Sequence, residues 1–285
     1  MMTINHKSIY CCLALALACL MALTCCQREI DFDYPTAAPA VIIEGQISNE
    51  DVFVRINKTR PMTDNAAAEP IPDAEVWISC GDGTNERLVY DSNKECYLSA
   101  TGLTAPPGQT YKMRATVEGR QYEASSTMQL PAVIDSVYFR YIKVLQERVY
   151  FYCAKGKDPI PGERNYYLCR LMRGDEIFRW NTRSGRSNVN GTFEYDMMCS
   201  TETAIDKGPD EDDDNPLAEG DTLRLMLMTL DRESWEYFQS LNVSQRTTAN
   251  PITNIKGGAQ GVFAATNITR AKPIIFKKEN AVKER

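Results

Sequence analysis

From Val41 to about Pro131 the hydrophobic positions recur every second residue, in short runs broken by turn residues. Val52, Val54 and Ile56 alternate with Phe53, Arg55 and Asn57, and Val76, Ile78 and Cys80 alternate with Trp77 and Ser79. The cleanest run sets Tyr111, Met113, Ala115 and Val117 against Lys112, Arg114, Thr116 and Glu118. One apolar face with a period of two marks a half-buried antiparallel strand, because successive side chains leave a pleated backbone on opposite sides. Gly81-Asp82-Gly83, Pro107-Gly108 and Gly119-Arg120 punctuate the runs. The last fits a two-residue hairpin in which glycine supplies the positive φ. About seven strands in roughly 90 residues predict an immunoglobulin-like or transthyretin-like sandwich over residues 41–131.

Past Leu130-Pro131-Ala132 the pattern changes, and Tyr, Phe and Trp crowd the chain between Tyr138 and Trp180. Strands are predicted near Ser136–Ile142, Glu147–Ala154, Asn165–Arg173 and Thr192–Cys199. Asp221–Leu230 is apolar on both faces after Arg224, which predicts a central strand covered on both sides. One helix is predicted near 232–242: Asp231 suits its N-cap, and Trp235, Phe238 and Leu241 share a side. A last strand is expected near Val262–Ile268. Residues 132–285 therefore read as a second β-rich domain with one packed helix, and the fold class as mainly β.

The start of the chain follows different rules. Ile9 to Leu23 is apolar, preceded by Lys7 and no acid, and too short for a hydrocarbon layer, which needs about 20 apolar residues. A basic start, a short apolar middle and a small-residue zone make an export signal over residues 1–25. Leu23-Thr24-Cys25 stands before Cys26 as in a bacterial lipoprotein box, so Cys26 is the expected lipid-attachment residue. Cys25, with Ala22 and bulky Leu23 before it, is the poorer alternative. Residues 26–40, with two prolines, read as an extended tether to a membrane lipid anchor. Nothing later resembles a transmembrane helix.

Composition narrows the chemistry. The signal removes one of 32 basic residues and none of 38 acidic ones, leaving a net charge of −7. Such a surface argues against a nucleic-acid partner, which recruits basic patches. The one histidine, His6, leaves with the signal, which removes Ser-His-Asp and Cys-His catalysis and histidine-held zinc. Downstream of Cys26 stand Cys80, Cys96, Cys153, Cys169 and Cys199. An exported compartment permits disulfides. Cys80 and Cys96, both in strand-like runs, are the candidate pair; small buried hydrophobes are the alternative.

Several stretches are weighed for function. Asp210-Glu211-Asp212-Asp213-Asp214-Asn215, with Asp221 beyond, echoes a calcium loop, but Asn215-Pro216 replaces the glycine turn. A solvated loop is the default for such a run. Gly257-Gly258-Ala259-Gln260-Gly261 lacks the Gly-Lys-Ser/Thr ending of a phosphate loop and reads as backbone turns or close packing. The aromatic cluster is expected mainly in the core, with Trp77 and Trp180 as the rings most apt to face a ligand. Asp135-Ser136-Val137 and Asp221-Thr222-Leu223 match an O-glycosylation acceptor pattern, at a frequency chance also gives. No catalytic constellation, cofactor site or metal site is assigned.

Trp235-Glu236-Tyr237-Phe238, Asn250-Pro251 and Asn254-Ile255-Lys256-Gly257-Gly258-Ala259-Gln260-Gly261-Val262-Phe263 resemble the domain of unknown function 4249, a family of Bacteroidota lipoproteins. Glu29-Ile30-Asp31 behind Cys26 and the Pro131-X-X-Ile134-Asp135-Ser136-Val137 junction look like that family too. Ala259-Gln260 stands where a Leu-Gly-like pair is commoner. The acidic residues just behind Cys26 resemble the surface-export signal of Bacteroidota lipoproteins, which favours an outward-facing outer-membrane anchor over a periplasm-facing one. The family resemblance implies a role in uptake or surface binding, accessory to a TonB-dependent outer-membrane receptor, with no ligand fixed. An adhesin or structural surface protein is the alternative, and a carboxylate-based glycan hydrolase ranks last.

Overall fold

The computed structural model describes residues 39–60, 68–185, 190–209, 213–244, 247 and 249–284. The signal, Cys25, Cys26 and the tether up to residue 38 lie outside the described residues, as do Asp210–Asp212 of the acidic run. No helix among the described residues is long and apolar enough to cross a membrane.

The three period-two runs fall in three strands of the first half, and the described residues there hold nine strands where about seven were expected: β1 (Val41–Ser48), β2 (Val52–Lys58), β3 (Glu69–Pro70), β4 (Glu75–Cys80), β5 (Asn85–Arg87), β6 (Val89–Asp91), β7 (Cys96–Leu98), β8 (Thr110–Val117) and β9 (Arg120–Thr127). A four-stranded sheet of order β5-β4-β8-β9 faces a larger sheet containing β1, β2, β7 and β6. Ile43, Ile47, Val54 and Ile56 meet Val76, Ile78, Met113 and Tyr122 in a shared core. The β8–β9 turn is offset by one residue from the sequence expectation. Val117 pairs with Arg120, so the loop is Glu118-Gly119, both at positive φ, 50° and 80°. That is the hairpin geometry whose twist matches the strands.

The second half supplies β10 (Val133–Val144), β11 (Glu147–Lys157), β12 (Tyr166–Arg173), β13 (Glu176–Ser184), β14 (Thr192–Thr201), α1 (Glu202–Lys207), β15 (Thr222–Leu230), α2 (Arg232–Ser244), β16 (Gln260–Arg270), β17 (Ile274–Ile275) and β18 (Val282–Lys283). A sheet of order β14-β11-β10-β18 covers one face of β13-β12-β15, with Phe139, Tyr150, Tyr152, Tyr167 and Phe193 between them. The aromatic crowd is thus largely core. On the opposite face, Leu168, Met226, Met228 and Val262 pack beneath α2. Strand β15 is central and buried on both faces after Arg224, as its composition predicts.

The boundary at residue 131 needs correcting. Pro39–Arg285 is one compact unit, because β16 returns to lie parallel to β1, with Ile43 beside Gly261 and Gly45 beside Phe263. Phe263 and Ala265 belong to the first core, and the end of β16 pairs with β15, so one sheet of order β13-β12-β15-β16-β1-β2-β7-β6 joins both halves. Parallel pairing across more than 200 residues leaves no local pattern in the sequence, so it escapes a period-based reading. Two asparagines stand in for missing strand neighbours of β16. The Asn254 side chain accepts from the Phe263 N–H at 3.0 Å and donates to its carbonyl at 2.8 Å. Asn49 does the same for Ile268, at 2.7 and 3.2 Å. Each satisfies backbone groups at the strand's edge, the Phe263 carbonyl also accepting from the Ser234 hydroxyl at 3.4 Å.

The glycine run behaves as backbone geometry, with Gly257, Gly258 and Gly261 all at positive φ. Its close approaches are to strands, not to the helix: a Cβ on Gly257 would lie 2.5 Å from the Gln121 carbonyl oxygen.

The Cys80–Cys96 bridge is not formed, and both thiols are free. Cys80 ends β4 in the four-stranded sheet, whereas Cys96 opens β7 in the facing sheet. Period-two reasoning places each on an apolar side without saying which sheet it joins. Cys153, Cys169 and Cys199 are also free and buried, and burial pushes their thiols up to about 11, 12 and 12. Thiolate is the reactive form. Thiol titration of the native protein is therefore expected to find Cys80 alone reacting readily, and all five downstream cysteines after denaturation. Fewer than five in denaturant without reductant would reveal a bridge.

Candidate functional site

The alternation that buries Ile43 and Ile47 turns Glu44 and Gln46 to the other face of β1, and the same parity turns Phe53 and Arg55 outward on β2. Register sets Glu44 between Arg55 and Val262, and Gln46 between Phe53 and Ala264. On β12, Arg170 lies between Trp180 of β13 and Met226 of β15. Helix α2 closes over this face with Tyr237, Phe238 and Leu241, leaving a cleft of about 370 Å³. That is within the size range of small-molecule sites.

The helix holds this position through its first turn. Asp231 Oδ1 accepts the Ser234 N–H at 2.9 Å, which is the N-cap bond expected from the sequence. Its Oδ2 accepts from the Ser126 hydroxyl at 2.6 Å and the Thr127 N–H at 2.9 Å, tying α2 to the end of β9. Ser126 Oγ in turn accepts the Ala265 N–H at 2.8 Å. Trp235 packs on Tyr166 with ring centroids 5.0 Å apart. Ser234 and Tyr237 are the residues of α2 that become fully buried, with Trp235, Phe238 and Leu241 flanking them.

Charge in the cleft is uneven. Arg55 Nη1 lies 3.6 Å from Glu44 Oε2, both side chains being about half exposed. A pair of that kind is worth about 0–1 kcal/mol. Arg170 makes no hydrogen bond or ion pair within reach among the described residues; burial pushes its guanidinium below the usual value, while the field of Glu44 acts the other way. Burial also pushes the Tyr237 phenol up to about 12, with Glu44 adding to the effect, so it stays a neutral hydroxyl. The arrangement can hold a ligand with an apolar body and a polar head. The described residues that line it include no paired nucleophile and base.

The residues singled out from sequence fall in different places. Trp180 lines the cleft. Trp77 does not; it lies on the outer face of β4, its indole N–H donating to Glu75 Oε1 at 2.9 Å. Of the acidic run, Asp213 receives Arg179 at 2.8 Å and the Ser200 hydroxyl at 3.2 Å. Asp221 pairs with Arg173 at 2.8 Å and accepts the Ala218 N–H. These two carboxylates are thus turned to arginines of neighbouring strands. Glu44, Phe53, Arg55 and Arg170 escaped the sequence reading. The available signal was a single charge, Arg170, inside the apolar run Tyr166-Tyr167-Leu168-Cys169-Arg170-Leu171-Met172.

No curated protein matches the chain. Among solved structures it is similar to the selenomethionine-substituted chicken interferon gamma receptor alpha chain, at 9% identity. That match covers 68% of this chain and 90% of the receptor chain with a TM-score of 0.19, too low to bear on fold or ligand. The family described as Domain of unknown function (DUF4249) matches residues 27–272, and the chain belongs to that family.

Proposed function

We propose that this protein is a non-catalytic binding protein of the bacterial cell envelope. A lipid on Cys26 holds it to the outer membrane, facing outward, and it serves as an accessory to a TonB-dependent transporter. The observation that carries the binding reading is the cleft beneath α2, where Trp180, Phe238 and Leu241 meet the polar groups of Glu44, Arg55 and Arg170. Leu23-Thr24-Cys25-Cys26 and the acidic residues behind it support the anchor and its outward placement. A lipid-modified cysteine with several acyl chains holds firmly, each buried CH₂ contributing about 0.8 kcal/mol.

Metabolic labelling with an alkyne-tagged palmitate tests the anchor. Cys26→Ser is expected to abolish labelling and release the protein from membranes, whereas Cys25→Ser leaves both unchanged. Labelling that survives Cys26→Ser and is lost in Cys25→Ser would move the anchor by one residue. Labelling in neither wild type nor variants would remove it. Crosslinking in intact cells tests the partner: capture of a TonB-dependent receptor is expected, and its consistent absence overturns the transporter role.

A further inference from the structure

Arg170 is out of keeping with its surroundings. Its neighbours on the same sheet face are Leu168, Met226, Met228, Val262 and Ala264, which form an apolar cluster under α2. Leucine or methionine at 170 would complete that cluster. A half-buried guanidinium with no carboxylate of the described residues in bonding distance has given up part of its hydration without a partner in return, which is unfavourable. Nearby Arg55 has Glu44 as partner, at 3.6 Å. With two cations and one anion among its lining residues, the cleft keeps one positive charge inside a chain whose formal net charge is −6. Positions where a local packing rule is broken without structural return are where function is expected.

We propose that the cleft takes an amphipathic organic anion of small-molecule size, its carboxylate or similar acidic head on Arg170 and its aromatic or aliphatic body against Trp180, Phe238 and Leu241. This rests on the reading of the cleft as a binding site. A planar guanidinium presents a fork of N–H donors that matches a carboxylate bidentately, and such charge-assisted bonds are about twice as strong as neutral ones. Trp180 and Phe238, both half-buried and both lining the cleft, provide apolar surface on which a ring or chain can lie. Among the described residues that line the cleft, Arg170 is the one cation without a carboxylate partner, which fits a monoanion rather than a phosphate ester or a polyanion.

The test uses the full-length lipidated protein in detergent and two matched probes, 4-phenylbutyrate and its uncharged amide, 4-phenylbutyramide, with binding read by calorimetry. The carboxylate is expected to bind roughly tenfold more tightly than the amide, the gain of one charge-assisted interaction. Arg170→Met is expected to bring the two affinities within about twofold, chiefly by weakening the carboxylate, because the lost interaction is with the charge. Arg170→Gln is the second variant, for the case in which methionine disturbs folding, and Arg170→Lys should restore part of the preference. Equal affinities in the wild type, or a preference that survives both Met and Gln variants, would overturn the anion assignment and leave the cleft reading intact. Binding of neither probe would instead overturn the cleft reading on which the assignment rests.

Discussion

Gly261→Ala is expected to destabilise the protein by about 3–5 kcal/mol, a substantial share of a typical folding free energy of roughly 5–15 kcal/mol. Two costs add. Gly261 has φ +109°, where an L side chain is strained by about 1–3 kcal/mol. A Cβ there would also lie 2.0 Å from the Ile43 carbonyl oxygen and 2.8 Å from its carbon. Those are backbone atoms of the neighbouring strand, so relief requires β1 and β16 to part, at an overpacking cost of about 1–3 kcal/mol. For a domain of this size the melting temperature should fall by about 10 °C. Gly108→Ala is the internal comparison: its φ is +83°, yet nothing lies within 4 Å of the added Cβ. Only conformational strain remains there, and about 1 kcal/mol is expected. Equal losses at the two glycines, measured by thermal and urea unfolding, would mean that β1 and β16 are not in the close parallel contact described.

That contrast also explains what the sequence could and could not disclose. Strands β2, β4 and β8 were legible because their side-chain parity is a local property: Tyr111, Met113, Ala115 and Val117 are buried and Lys112 and Arg114 are not. Strand β15 was legible as an unbroken apolar run after Arg224. The helix was legible from Asp231 and the spacing of Trp235, Phe238 and Leu241. Strand β13 was missed because Arg179, Trp180, Asn181, Thr182 and Arg183 show no apolar face; its inward ring is Phe178. The single sheet spanning both halves was illegible for a different reason. It depends on β16 pairing with β1, and the glycine that permits the approach announces only that something comes near, not which strand. The cleft follows from that pairing. Glu44 and Arg55 come to face Arg170 and α2 only because β16 bridges β1 to β15. Trp180 could be nominated from its chemistry, but the charge it stands beside could not. The Cys80–Cys96 expectation failed on the same missing information, which sheet each strand joins.

Asp231→Ala is the second large effect, expected to cost about 3–5 kcal/mol and to loosen the roof of the cleft. Loss of an N-cap alone costs about 1 kcal/mol. Asp231 does more than cap. Its second oxygen holds the Ser126 hydroxyl and the Thr127 N–H, and Ser126 is 2% exposed. Removing the acceptor strands the Thr127 N–H and leaves the Ser126 hydroxyl only its longer contact with Ser234 Oγ, at 3.3 Å, a cost of about 1–3 kcal/mol for each donor. Ser126 also accepts from Ala265, so the disturbance reaches β16. Asp231→Asn separates the roles. Its side-chain oxygen can still accept from the Ser234 N–H, but its NH₂ cannot accept from Thr127, so a loss of about 1–3 kcal/mol is expected. Urea unfolding gives the magnitudes, and hydrogen exchange gives the location: in Asp231→Ala the amides of α2 should exchange before those of β12 and β15. Tyr237, Phe238 and Leu241 then leave the cleft in the opened state, so probe affinity should fall even where the protein remains folded. Stability within about 0.5 kcal/mol of wild type, the range of ordinary surface substitutions, would show that the Asp231 junction does not hold the helix to the sheet.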